Sequence, residues 1–135
     1  MNWNLHSYKM DMGKLDFNDD FFDHSYSICV FEHLNYELKQ QALKEIARCT
    51  KKNGILSITF DYKNPAPSIA FVGPYISPQN RLSDFNDISR SFLNTNNFDL
   101  YGNKTFYDNN KRYLVHPEFD NEPYTFGSIF LKNKK

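Results

Sequence analysis

A chain of 135 residues with sixteen basic and sixteen acidic side chains carries no net charge to draw it to a polyanion. Nucleic acid is therefore excluded as an electrostatically driven partner. With 40% hydrophobic and 24% charged residues, 13 Phe and 9 Tyr among them, the chain is too apolar for disorder and long enough for one ring-rich core. No apolar run approaches the ~20 residues of a membrane span. Met1 to His6 lacks the basic-then-apolar pattern of a signal peptide, so no membrane partner and a cytoplasmic location are expected.

In chain order, Leu5 to Met10 reads as a weak strand, with a turn-like break at Asp11-Met12-Gly13. Leu15-Asp16-Phe17 and the Asn18-Asp19-Asp20 cluster predict a loop with apolar anchors, because Asx side chains bond nearby amides. His24 to Val30 predicts a short apolar strand, its heart running from Tyr26 to Phe31, and Glu32-His33-Leu34 follows as the chain turns. Asn35 is suited to cap a helix, and Leu34, Leu38, Ala42, Ile46 and Cys49 recur at helical spacing. Glu37, Lys39, Gln40, Lys44 and Arg48 fall on the other faces. Lys51-Lys52-Asn53-Gly54 marks the helix end with residues tolerant of positive φ. Ile55 to Phe60, β-branched and apolar at most positions, predicts a strand buried on both faces.

Strand, helix and strand joined by short turns imply a right-handed crossover and a parallel pair. Asp61-Tyr62 then lies beside Glu32-His33, at the carboxyl ends of two strands, where open α/β sheets bind ligands. Lys63 to Leu82 is a proline-rich loop long enough to be a binding wall. Ser83 is suited to cap a second helix, which buries Phe85, Ile88, Phe92 and Leu93. Short strands are predicted at Phe98 to Tyr101 and Tyr124 to Leu131, around a loop from Thr105 to Tyr124, with a solvated basic tail. Cys29 and Cys49 read as buried free thiols, and no Cys-x-x-Cys or paired-His spacing predicts a metal site. The whole chain reads as one domain, 1–135.

The order Asp11, Leu15-Asp16-Phe17, Phe22-Asp23, apolar strand, Glu32-His33-Leu34, Glu45-Ile46-Ala47-Arg48 and Lys51-Lys52-Asn53-Gly54 resembles class I S-adenosylmethionine-dependent methyltransferases. It is most similar to the methyltransferase type 11 group. That group commonly reads Leu-Pro-Phe, Phe-Asp, Glu-His-Leu, Glu-Ile-x-Arg and Lys-Pro-Gly-Gly in the same order. Two words differ mildly, Leu-Asp-Phe and Lys-Lys-Asn-Gly. The large departure is that the five glycines, Gly13, Gly54, Gly73, Gly102 and Gly127, are scattered and form no glycine-rich cofactor loop.

The resemblance implies the carboxyl-terminal half of a Rossmann-like α/β sheet: parallel strands plus a final antiparallel one, without the glycine-rich amino-terminal half. The strands present are those the family numbers four, five, seven and six, with a remnant of the third. The first strand here, central in the family, then becomes an open edge through which the chain is expected to self-associate.

The resemblance also implies S-adenosylmethionine as cofactor. Asp11 and Met12 match the adenine position, and Ser27, Ile28 and Cys29 match the strand end facing the methionine. A turn Asp, a core Met and an ordinary buried strand are the structural alternatives. Methyl transfer is an in-line displacement that asks the protein mainly to position the acceptor. His33 is the candidate to take the acceptor's proton, since imidazole is suited to that near neutral pH. Glu32, Asp61 and Tyr62 are candidates to line the site of a small-molecule acceptor, while Glu32-His33 also suits an ordinary helix start. The expected function is methyl transfer to such an acceptor by a truncated form of a full domain. The alternative is an inactive fragment or pseudoenzyme that binds a partner.

Overall fold

The computed structural model describes residues 4–62, 82, 85–103, 105, 114–115 and 123–135. The Pro-rich segment from Lys63, the Ser83 cap and most of the Thr105 to Tyr124 loop lie outside them.

Five strands, β1 (Phe22–Ile28), β2 (Thr50–Tyr62), β3 (Phe98–Leu100), β4 (Leu114–Val115) and β5 (Pro123–Asn133), join two helices, α1 (Tyr36–Cys49) and α2 (Phe85–Ile88). A 3-10 turn at Phe31–His33 leads into α1, and α2 continues as one π-helical turn, Ser89–Leu93. The main sheet runs β1-β2-β5-β3, and β4 pairs with β5 separately. β1 and β2 are parallel, with Ser25 opposite Leu56 and Ser27 opposite Ile58. β5 is antiparallel to both β2 and β3. That is the four-five-seven-six order expected, with β1 at the edge.

Asn35 caps α1 as expected, its Oδ1 accepting from the Leu38 N–H at 2.9 Å. The buried stripe is Lys39, Ala42, Leu43, Ile46, Ala47 and Cys49, so it starts one residue later than the sequence spacing suggests. Leu38 is exposed, and Lys39, expected in solvent, is buried. The π turn is responsible: it packs against this side of α1, and Gln40 Nε2 donates to the Ser91 carbonyl at 3.0 Å. The core joins Leu43, Ile46, Leu56, Ile58, Leu131 and the rings of Phe31, Phe60, Phe92 and Phe98.

Three expectations are corrected. Leu5 to Met10 is not a strand; the segment meets only an isolated bridge between Asp11 and Lys14. Its anchors are instead a cluster of rings, with Phe17 against Tyr8, Phe21 and Phe22. Arg48 ties this segment to α1, donating to the carbonyls of Leu15 and Phe17 at 2.8 Å each and to Asp19 at 2.7 Å.

Lys51 to Gly54 is not a helix cap but the start of β2, because α1 passes directly into extended backbone at Thr50. Asn53 does take a positive φ of 63°. Gly54 is needed for space: a Cβ there would stand 2.8 Å from the Asp23 carbonyl.

The basic tail is not wholly solvated. Buried Asn133 donates through Nδ2 to the carbonyls of Ala47 and Thr50 at 2.9 and 2.7 Å, and Lys135 Nζ donates to those of Arg48 and Thr50. The last carbonyls of a helix lack internal partners and carry partial negative charge, so donors from the chain's far end settle there.

Both helices lie on one face of the sheet. The other carries His24, Tyr26 and Ile28 from β1, Ile55, Ser57 and Thr59 from β2, and Phe126, Ser128 and Phe130 from β5, and no described helix covers it. Tyr26 and Ile28 are 72% and 73% exposed.

Candidate functional site

At the carboxyl end of β1 the chain reverses sharply. Cys29 takes a φ of 50°, a region sparsely used by residues with a side chain, and its N–H donates to the Thr59 carbonyl at 2.9 Å. The 3-10 turn that follows throws Phe31 into the core and Glu32 beneath it, and leaves His33 exposed. Glu32 is 1% exposed. Its Oε1 accepts from the Asp61 N–H at 3.1 Å, which locks the turn after β1 to the end of β2. Its Oε2 is buried without a hydrogen-bond partner. The Cys29 sulfur, a Glu32 oxygen and an Asp61 oxygen all lie within 4.8 Å of one another.

Burial sets the electrostatics. It pushes the Glu32 carboxyl above the usual range, against the pull of the backbone amides of Glu32 and Asp61. It likewise raises Asp61, against the opposing influence of nearby His33 and a bond to Cys29. The Cys29 thiol is raised by burial first and by the Glu32 charge second. Beneath α1, burial lowers the Lys39 ammonium to about 8, with Arg90 acting in the same sense and Asp87 and Glu32 opposing.

A carboxyl raised on folding favours the native state while protonated, and that advantage is lost as pH climbs from its unfolded value, 4.5 for Glu32. Glu32→Gln keeps an oxygen for the Asp61 amide and removes the titration. Its stability relative to wild type is expected to improve between about pH 4 and about pH 8. Urea midpoints at the two values check this, and an unchanged difference would rule the effect out.

The structure therefore brings together four sequence-predicted residues, Cys29, Glu32, His33 and Asp61. Ser27 lies just before them, buried, its Oγ without a partner. Ile28 points to the open face and is largely exposed. Tyr62 is buried one residue past Asp61. Asp11 and Met12 are elsewhere. The Asp11 carboxylate accepts from the Gly13 N–H at 2.8 Å, and Met12 packs against the hydrophobic core.

A concavity of about 950 Å³ is lined by His24, Tyr26, Ser57, Phe126 and Phe130 among others. Of the predicted site residues only Tyr62 reaches it. Its apolar sheet walls hold no cluster of reactive groups, so the strand-end cluster is the better site for chemistry. Sequence spacing missed Lys39, whose burial depends on the π turn.

The donor set fits one end of an S-adenosylmethionine. The strand end offers backbone from Ser27 to Cys29 and the orphaned Ser27 hydroxyl. Among the described residues no acidic partner stands ready for a ribose.

A family model described as "Methyltransferase domain" matches residues 2–58. No curated protein matches the sequence significantly. Among solved structures, a SAM-dependent methyltransferase from Methanosarcina mazei is 10% identical with a TM-score of 0.62, over 93% of this chain and 65% of that one. A Haloferax volcanii complex between the Trm112 methyltransferase activator and a methyltransferase is 20% identical, TM-score 0.58, over 93% of this chain and 58% of that one. The [4+2]-cyclase SpnF is 19% identical, TM-score 0.53, over 69% of this chain and 32% of that one. The chain thus spans from about a third to about two thirds of these structures' length. Residues 2–58 thus resemble a methyltransferase domain in sequence, and the chain shares its fold with these structures.

Proposed function

We propose that this chain is one partial domain, 1–135, of a cytoplasmic enzyme that transfers a methyl group from S-adenosylmethionine to a small-molecule acceptor. The observation that carries the reading is the junction of Glu32-His33 with Asp61 at the carboxyl ends of two parallel strands, held by the 3.1 Å bond from the Asp61 amide. Ser27, Ile28 and Cys29 would hold the cofactor's methionine end, and Asp11 with Met12 its adenine. The bound sulfonium supplies an electrophilic methyl group.

The remaining work falls to the chain's own side chains. His33, exposed beside Asp61, takes the proton that a hydroxyl or amine acceptor gives up, and Asp61 orients the resulting imidazolium. Glu32 and Asp61 accept hydrogen bonds from the acceptor, and Tyr62 lines its site. His33→Ala is expected to lower turnover by about 10²–10⁴-fold with cofactor binding unchanged, because only the proton transfer is lost. Steady-state turnover and calorimetric titration with S-adenosylmethionine read the two separately. Unchanged turnover would return His33 to a scaffolding role, and no binding heat at millimolar cofactor would count against catalysis by this chain.

A second reading is favoured by β1, which among the described residues lies at the sheet edge with Tyr26 and Ile28 largely exposed. In it the chain is catalytically inactive and binds a partner, or a second copy of itself, through that edge.

A further inference from the structure

The strand-end cluster has a geometric property that goes beyond the methyl-transfer reading. Glu32 is almost wholly buried, and only one of its oxygens is occupied by the Asp61 amide. The other oxygen has no partner. A Glu32 oxygen, the Cys29 sulfur and an Asp61 oxygen lie within 4.8 Å of one another. A buried carboxylate oxygen left without a donor costs about 1–3 kcal/mol, so its persistence next to a thiol and a second carboxyl asks for a ligand.

We propose that Cys29, Glu32 and Asp61 bind a zinc-like divalent transition-metal ion through one thiolate sulfur and two carboxylate oxygens. Zinc takes sulfur at ~2.3 Å and oxygen at ~2.0–2.2 Å, which sets tetrahedral ligand separations of roughly 3.3–3.7 Å. The cluster reaches that spacing with side-chain shifts on the order of 1 Å. The thiolate selects a softer ion over magnesium or calcium, which prefer all-oxygen shells. Binding displaces the thiol proton of Cys29 and any proton held on Glu32 or Asp61, and it involves no change of oxidation state.

Three protein ligands leave a fourth position for water or an oxygen-bearing molecule. The backbone around the site is fixed in advance: the Cys29 amide is tied to the Thr59 carbonyl, and Glu32 to the Asp61 amide. The inference uses the same three side chains that the methyl-transfer reading gives to cofactor and acceptor, but its test reads the metal alone, so the two fail separately.

The test titrates the full chain, kept reduced, with cobalt(II) and then zinc(II). One equivalent of cobalt should bind, with a thiolate-to-cobalt charge-transfer band that zinc abolishes. Cys29→Ala should lose the band, and Cys49→Ala should keep it. Glu32→Gln and Asp61→Asn should each weaken binding about tenfold or more. If Cys29→Ala does not fold, the half-buried Asp61→Asn variant decides the matter by affinity. Absence of stoichiometric binding, a band that survives Cys29→Ala, or wild-type affinity in both carboxylate variants would overturn the proposal.

Discussion

Gly127→Val is expected to destabilise the fold severely. Gly127 lies opposite Phe60 across the β2–β5 pair, and a Cβ at Gly127 would stand 2.3 Å from the Phe60 ring. That ring is fully buried and stacks on Phe92 at 6.0 Å, so it has no open direction in which to retreat. An aromatic side chain laid over a strand glycine is a recurrent way of covering exposed backbone in sheets. Overpacking a rigid core costs about 1–3 kcal/mol and sometimes more, a large share of the ~5–15 kcal/mol that holds a domain together.

Gly102→Ala supplies the contrast. Gly102 has a φ of 90° but open space around it, so alanine there meets backbone strain alone, about 1 kcal/mol. Chemical-denaturation midpoints for the two variants should differ accordingly. Phe60→Leu combined with Gly127→Ala should be less damaging than the sum of the two single changes. Equal midpoints for Gly127→Val and Gly102→Ala, or strict additivity of the pair, would show that the ring yields.

Ile28→Lys is expected to act oppositely, changing association and hardly touching stability. Ile28 sits on β1, an edge strand among the described residues, and is largely exposed, as is Tyr26 two residues earlier. An apolar edge with open amides and carbonyls invites another strand, and a lysine there is a common defence. The wild-type chain should therefore sediment as concentration-dependent oligomers. The Ile28→Lys chain should sediment as a monomer, with a stability change within about 0.5 kcal/mol. A wild-type monomer with sharp two-state unfolding would refute the sticky edge.

The part of the fold that reads well from sequence is the part made by neighbours. The Asn35 cap, the amphipathic run through Cys49 and the β-branched Ile55 to Phe60 each carry their own local signal, and together they give the parallel pair and its crossover. The meeting of Glu32 with Asp61 reads from sequence too, because each follows a strand whose end the sequence marks. What spacing does not show is that the two meet through a single buried carboxylate, or that Cys29 joins them. Residues 29, 32 and 61 belong to no local motif, and metal-ligand spacing rules look for local pairs. Leu5 to Met10 misleads for the opposite reason. The segment reads as a weak strand of poor alternation, and a strand without a partner to bond with has nothing to hold it extended.

The amino-acid sequence by itself determined the order of elements, the parallel β1–β2 unit and the placing of carboxylates and an imidazole at its carboxyl end. These depend on period, caps and turns, which act over a few residues. Tertiary structure decided the rest. The π turn buries Lys39 in place of Leu38, and Asn133 with Lys135 closes the end of a helix some eighty positions away. It also left one face of the sheet without a covering helix among the described residues and brought one atom each of Cys29, Glu32 and Asp61 within 4.8 Å of one another. Each of these is a contact between segments distant in the chain, and no local pattern carries the information for it.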